Sequence, residues 1–521
     1  MSTFAHQFFT SQRTALLLFS LILTSSLVIL SSYTTLLPLH VGDFLFFSIL
    51  ALLGALYRPG WLFLLFIATI PLETVNLAPQ EFGITLRPYQ FLGALTLCAV
   101  AIRFFLGRLN FALPRFAWHD GALLLFSVGG FLALPNASDG MNALKQALVV
   151  FSFVILYAVV RIFVQKSDDV RRIVPFFLVG SAVSIFYGIW QNWAFMHGIA
   201  QDEIMPGRPN GTFPEADWFG LYLAFVLTAL FGLWSYFRSY RPINDRLRTF
   251  FMILLGVMAA ATTVALILTV SRSAWLGAAA AIGVFLVVDF WRRESSFRAI
   301  LINGVIIFGV IAISIIAIHF ASLTSFELKN RLSSISSGKQ NITISCDAPV
   351  NLPVVVSDIA LLAQYGCRHI MLEEIAQERS RGAFVTTVLR DDPNVQTRMQ
   401  LYKKSLALIM QHPFMGIGWG SAGIFFGADA RDATLNTSNI FMETWLGGGM
   451  LSLAMLGGIL GAMIAKTMRH LRRTAFDASA YALVVFVLLG LCAIIIPNFF
   501  NAGLLLGFVW VFFGIALMQK K

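Results

Sequence analysis

Four arginines stand at the edges of apolar runs: Arg87 in ITLRPYQ, Arg208 in PGRPNGTFPEADWFG, Arg272 in TVSRSAWLG and Arg398 in TRMQLYKKSL. Arginine stays charged at any physiological pH. Its planar fork of donors grips phosphate oxygens two at a time. A single arginine at such a place is explained by snorkelling or an ion pair. Four at one level of one face point to a shared anionic ligand, and a membrane-embedded pyrophosphate has the matching charge. Glu215 and Asp217 begin the apolar run after Arg208, where carboxylates suit a helix start; they are caps or site residues.

Downstream of Arg398 the chain reads QHPFMGIGWG. Pro413 pushes the residue before it, His412, out of the helix. Gly416, Gly418 and Gly420 permit close backbone approach. A dinucleotide fingerprint is excluded, because the glycines follow a helix and no strand precedes them.

These residues sit in a chain of 521 residues that is 58% hydrophobic and 12% charged, with mean hydropathy +0.78. Soluble domains carry about 25% charge. Apolar runs recur from residue 14 to residue 519 and predict about fourteen membrane-spanning helices, or twelve full spans if the short runs 42–57 and 60–75 are discounted. The first run, 14–37, is read as a span and not as a cleaved signal. Basic pairs such as Arg171-Arg172, Arg292-Arg293, Arg472-Arg473 and Lys520-Lys521 mark the short connections of one side. The positive-inside rule then puts both termini in the cytoplasm and the four arginines on the outer face. The net charge of +11 therefore reflects topology, and nucleic-acid binding is not expected. Acids at span ends (Asp43, Asp120, Asp289), with almost none inside spans, argue against an ion-coupled transporter.

One connection, residues 321–437, is far longer than the others and divides the chain into an N-terminal bundle (1–320), this outer loop and C-terminal helices (438–521). In SDIALLAQYGCRHIMLEEIAQERSRG, helical spacing of Ile359, Leu362, Ile370, Leu372 and Ile375, a Ser357-Asp358 cap, and Glu374 with Glu378 predict a helix ending near Gly382. A second, amphipathic helix over about 395–410 has Met399, Leu406 and Ile409 on one face and Lys403 and Lys404 on another, suited to the outer interface or to packing on the bundle. Cys346 and Cys367 share this loop and either pair or stand as thiols. Cys98 and Cys492 fall in spans as packing residues.

GTFPEADWFGLYLAF, TVSRSAWLG and RMQLYKKSLALIMQHPFMGIGWG resemble, in this order, the three signature regions of the O-antigen ligase and polymerase superfamily. The third carries the pattern most fully, in Arg398, Tyr402, Ser405, Leu408, His412, Pro413 and the three glycines. LPLETVNLAPQEFGITLRPYQFLG resembles the family's early outer turn. The likeness spans most of the chain except about 325–390.

The resemblance implies an all-α integral membrane protein of the bacterial inner membrane, like the C-type glycosyltransferases, with one large periplasmic loop containing helices. It implies a glycosyltransferase that takes a glycan from undecaprenyl diphosphate and passes it to a glycan or lipid A-core acceptor among membrane lipids, without metal, nucleotide sugar or other cofactor. Arg208, Arg272 and Arg398, with Arg87 beside them, would stabilise the departing diphosphate. Ligases carry a His-Asn pair before the span that follows the loop. Here Asn439 is kept and Ser438 stands in the histidine's place, which shifts weight towards a polymerase. Glu443, one turn beyond Asn439, is a candidate base or a partner of Arg431; His412 is the second candidate. A carrier of a small anion and a non-catalytic assembly scaffold are the alternatives of another class.

Overall fold

The computed structural model describes residues 11–518 except 35, 200–206, 240–244, 293–296, 324–338, 351, 354, 357–358, 371–374, 392, 428–434 and 474–477. Arg293, Ser357, Asp358, Glu374, Arg431, Lys520 and Lys521 lie outside the described residues. The chain forms two compact units: Met1–Thr324 with Ser405–Lys521, and Ser325–Lys404.

The first unit is a helical bundle. In chain order its helices are α1 (Ser11–Tyr33), α2 (Val41–Tyr57), α3 (Pro59–Thr69), α4 (Pro88–Phe105), α5 (Trp118–Leu132), α6 (Gly140–Phe163), α7 (Ser167–Met196), α8 (Ala216–Ser239), α9 (Asp245–Leu268), α10 (Arg272–Arg292) and α11 (Phe297–Phe320). Each of the fourteen expected apolar runs folds as a helix. Among the described residues, ten are long and apolar enough to cross a membrane. The others are short, at 17 residues for α2, 11 for α3 and 15 for α5, with the last run discussed below. The protein is thus an all-α polytopic membrane protein in this unit.

The bundle core is aromatic: Phe66, Phe126, Phe153, Phe219, Tyr222 and Trp510 are fully buried. Two of the acids at span ends, Asp120 and Asp289, are matched. Asp120 accepts from the Tyr157 hydroxyl, Arg161 Nε and the Ala117 N–H. Asp289 accepts from Asn303, which in turn accepts from Arg238. Cys98 is exposed on α4, so it is not the packing residue expected, and Cys492 is partly buried.

The second unit overturns the expected loop helix. It holds β1 (Lys339–Cys346), β2 (Val355–Val356), a 3-10 turn (Ile359–Tyr365), β3 (Cys367–His369), α12 (Ile375–Ser380) and β4 (Phe384–Asp391), and the first part of α13 (Pro393–Gln411). The sheet order is β2-β4-β1-β3. β1 runs antiparallel to β4 from Lys339↔Asp391 to Cys346↔Phe384. Alternation decides it: Ile342, Ile344 and Cys346 turn inward onto Val356, Leu362, Cys367 and Val388, which is period two. The apolar residues after Ser357 serve this small core in separate pieces and do not form one helical face. Glu378 is buried, where the Ser345 hydroxyl, then Arg368 and Arg381, hold its carboxyl below the usual range.

Cys346 and Cys367 are disulfide-bonded across β1 and β3 with a sequence separation of 21. Closing a loop of that size stabilises by about 3 kcal/mol on the chain-entropy account. Cys367→Ser is therefore expected to make residues 339–391 the first segment cut in limited proteolysis, at protease levels that leave the wild-type loop intact. Equal cleavage of the two proteins would refute it.

After α13 the chain returns to the bundle through α14 (Ala422–Phe426), α15 (Ile440–Arg473), α16 (Ala478–Asn498) and α17 (Gly507–Ala516). All ten residues of α17 are buried. Ten residues rise about 15 Å, half of a bilayer core, so α17 is a plug in the bundle and not a full span.

Candidate active site

The connections before α4, α8, α10 and α15 and after α16 meet on one face of the bundle, here called the arginine face. Hydrogen bonds stitch them together. The Glu73 and Thr74 N–H groups donate to Thr212 O at 3.0 and 3.1 Å, tying 70–87 to the turn that carries Arg208. Arg208 Nε donates to Thr269 O at 3.0 Å, tying that turn to the one that carries Arg272. Asn501 donates to Ser273 Oγ at 2.8 Å. Asn439 Nδ2 donates to Phe499 O at 3.1 Å, closing the series on the start of α15.

Arg87 is held by a partner that the sequence reasoning missed. Glu73, with a fully buried side chain, pairs with Arg87 Nε at 3.0 Å. It also accepts from Tyr89 OH at 2.8 Å and from the Gly507 N–H at 2.7 Å. Arg87 donates to Glu73 O and Tyr89 OH as well. Burial pushes the Glu73 carboxyl up from its ordinary range, while Arg87, the Gly507 N–H and the Tyr89 hydroxyl oppose that shift. The signal in the sequence was an acid inside the apolar run LFIATIPLETV. Glu73 thereby ties 70–87, and Arg87 with it, to α17.

Arg208 is half-buried and pairs with Asp217 through Nη2 at 3.3 Å. Asp217 is thus more than a cap of α8. Arg272, half-buried, is the first residue of α10. Its turn is strained: Val270, a β-branched residue, has φ 53°, a region such residues avoid. The turn also presses on α8, where a Cβ at Gly220 would stand 2.9 Å from Ser271 Cβ. A strained, close-packed turn fixes where the Arg272 guanidinium starts. Arg398 is half-buried in the part of α13 that belongs to the second unit.

The glycine turn after α13 does approach another backbone closely, but that backbone is α15. Gly416, Gly418 and Gly420 have φ of 73°, 86° and 76°, which points Ile417 and Trp419 inward, both buried. A Cβ at Gly416 would lie 2.5 Å from Leu446 O. α15 is broken at Gly449, with φ 69° and ψ −170°. At the break, Leu446 O accepts the Ile417 N–H at 2.7 Å, and the Met450 N–H donates to Phe414 O at 3.0 Å. An unbroken helix would have joined Met450 N to Leu446 O. The turn satisfies both halves of that lost bond. Trp445 Nε1 and Asn136 add bonds to Pro413 O and Gly416 O. His412 is half-buried and ends α13, its N–H on Leu408 O at 3.0 Å.

At the start of α15, Asn439 Oδ1 accepts from Phe441 N and Met442 N at 2.9 and 3.1 Å, an N-cap. Ser438 is half-buried with φ 50°. Glu443 Oε2 accepts the Thr437 N–H at 3.1 Å. Asn439 and Glu443 therefore hold this helix start together on the arginine face, beside the end of α16.

Residues 257–457 match the family model described as O-antigen ligase. Arg272, Arg398, His412, the three glycines, Ser438, Asn439 and Glu443 fall inside the matched stretch; Arg87 and Arg208 fall before it. No curated protein matches the chain.

Proposed function

We propose, from the match of residues 257–457 to the family model described as O-antigen ligase, that the chain moves a glycan from undecaprenyl diphosphate to an acceptor sugar. The observation that carries this proposal is the stitched arginine face, where Arg208 and Arg272 start from turns joined by the Arg208–Thr269 bond. As the glycosidic bond breaks, negative charge grows on the diphosphate oxygens. Arg208 and Arg272 stabilise it, an interaction that strengthens in the transition state. The acceptor hydroxyl attacks the anomeric carbon, with inversion, and gives its proton to a base. Glu443 is the proposed base; its Oε2 is anchored by Thr437, which fixes the carboxylate's direction. Asn439 positions that helix start, Ser438 precedes it, and His412 is the second candidate base.

Ser438 in place of the family's histidine favours a polymerase, whose acceptor is a second lipid-linked glycan. The Cys346–Cys367 bond supports placing residues 325–404 in an oxidising compartment, which for a bacterial inner membrane is the periplasm.

The test is transfer by purified protein in lipid bilayers, with an undecaprenyl-diphosphate-linked oligosaccharide and no added metal or nucleotide. Longer lipid-linked chains are expected from the wild type. Arg272→Ala should lower the rate about 10²–10³-fold, the loss seen when one stabiliser of developing charge is removed. No product from the wild type, with lipid A core also supplied, would overturn the proposal.

A further inference from the structure

Two amides stand side by side near the end of α7, Gln191 and Asn192 in IFYGIWQNWAFM. They are 1% and 0% exposed, and burying an amide is costly unless it is bonded. Both bond the backbone of the turn that carries Arg208. Gln191 Oε1 accepts the Gly211 N–H at 2.7 Å, and its Nε2 donates to Gly211 O at 3.5 Å. Asn192 Nδ2 donates to Gly207 O at 3.1 Å. Gly207 and Gly211 bracket Arg208, with φ of 72° and 56°. A Cβ at Gly207 would crowd the Phe195 ring at 3.1 Å, and one at Gly211 the Phe219 ring at 2.9 Å. One and two turns back along α7, a Cβ at Gly188 would strike Phe219 at 2.6 Å, and Ser184 Oγ bonds Thr212 Oγ1 at 2.7 Å. Helical spacing puts Ser184, Gly188, Gln191, Asn192 and Phe195 on one stripe of α7, and that stripe carries the turn. Within residues 207–213, only Arg208 is not buried.

We propose that Gln191 and Asn192 are positioning residues for Arg208. The assignment rests on the diphosphate-stabilising role given to Arg208 above. The turn lies outside every helix, so its buried peptide groups need partners from elsewhere. Gln191 gives Gly211 an acceptor and a donor together, as a neighbouring strand would. Asn192 holds the Gly207 carbonyl, which shares a peptide plane with the Arg208 nitrogen. That plane sets the direction in which the Arg208 side chain leaves the backbone. Thr269 O and Asp217 then orient the guanidinium itself. Apolar residues in place of the two amides would still pack against the turn, but they would leave its N–H and C=O unpaired and free to seek partners by moving. A stabiliser of developing charge works because it is held in place before the charge appears. Gln191 and Asn192 touch no substrate and act only through where they put Arg208.

Gln191→Met keeps the length of the side chain and removes both bonds to Gly211. In the transfer assay, kcat and kcat/KM for the lipid-linked donor are expected to fall together, by up to about 10²-fold, the penalty for misplacing a group by about 1 Å. In an Arg208→Ala background the same substitution is expected to cost nothing more, since no guanidinium is left to misplace. Equal losses in the two backgrounds would show a general structural role and overturn the assignment, as would an unchanged rate for Gln191→Met alone. Ser181→Ala is the control: it removes a buried bond from α7 to Tyr222 OH at 2.6 Å, away from the turn, and should show no coupling to Arg208. Asn192→Leu repeats the cycle at the other end of the turn and carries the test if Gln191→Met does not fold. If neither variant folds, the amides serve the fold and the assignment falls. A binding arm separates this assignment from the transfer reading: inorganic pyrophosphate titrated calorimetrically into the purified full chain in detergent. Weaker binding by Gln191→Met, with no further weakening in the Arg208→Ala background, supports the positioning role even where no transfer is seen. Transfer by the wild type without that coupling overturns the positioning role and leaves the transfer reading standing. Neither transfer nor pyrophosphate binding by the wild type overturns both.

Discussion

Glu73→Ala is expected to lower the stability of the bundle by about 3–5 kcal/mol, the cost of leaving a buried charge without its partner. The Glu73 side chain is fully buried and the Arg87 side chain is 19% exposed, so Arg87 has little water to turn to. Three donors lose their acceptor at once: Arg87, the Tyr89 hydroxyl and the Gly507 N–H. The last of these is the first residue of α17, whose ten residues are all buried. Losing the anchor should loosen the plug and the 70–87 connection together. The measurement is thermal unfolding in detergent, followed by size-exclusion recovery. The double variant Glu73→Leu with Arg87→Met is expected to recover much of the loss, because an apolar pair leaves no buried charge behind. A single variant that melts with the wild type would show that Glu73 is not a structural anchor. Activity separates the two roles of Arg87. If it only positions 70–87, the stable double variant keeps most of its transfer rate.

The helices were legible because length and apolar composition decide them locally. Each apolar run of the bundle needed no knowledge of its neighbours. The arginines were legible for the same reason, as charges at the ends of apolar runs. The small sheet was not. KQNITISC and FVTTVLRD alternate over only a few residues, and β1 becomes a strand because β4 returns beside it from far along the chain. Between them, apolar residues that fill one side of the sheet happen to fall at helical spacing. Glu73 was hidden by its position. Its partner Arg87 lies fourteen residues on, across a connection whose one regular element is a 3-10 turn at Gln80–Phe82, and no local pattern links them. At the glycine turn the close backbone approach was legible and its partner was not. Positive φ and close approach follow from Gly416, Gly418 and Gly420, whereas the surface they approach depends on a break in α15 that three glycines in a membrane helix do not announce, since glycine is common there.

That break carries the second large effect. Gly449→Ala is expected to destabilise the bundle by about 3 kcal/mol or more, from a φ/ψ region that is essentially restricted to glycine and from a Cβ driven into Phe414 O and the Met415 backbone. The added methyl has no flexible neighbour to displace. To make room, the turn must leave α15, and the Met450–Phe414 and Ile417–Leu446 bonds open with it. Straightening α15 instead would restore one helical bond but expel Ile417 and Trp419, which are 1% and 3% exposed. Either route moves the first two turns of α15, which carry Asn439 and Glu443, so transfer should fall along with stability. Gly457→Ala is the matched control in the same helix. A Cβ there meets nothing within 4 Å, and alanine in an ordinary helical site is neutral or slightly stabilising. Melting temperature and product yield measured on both variants decide between a required break and an incidental one. Equal behaviour of the two would mean that α15 tolerates either geometry, and that the glycine turn does not set the position of Glu443.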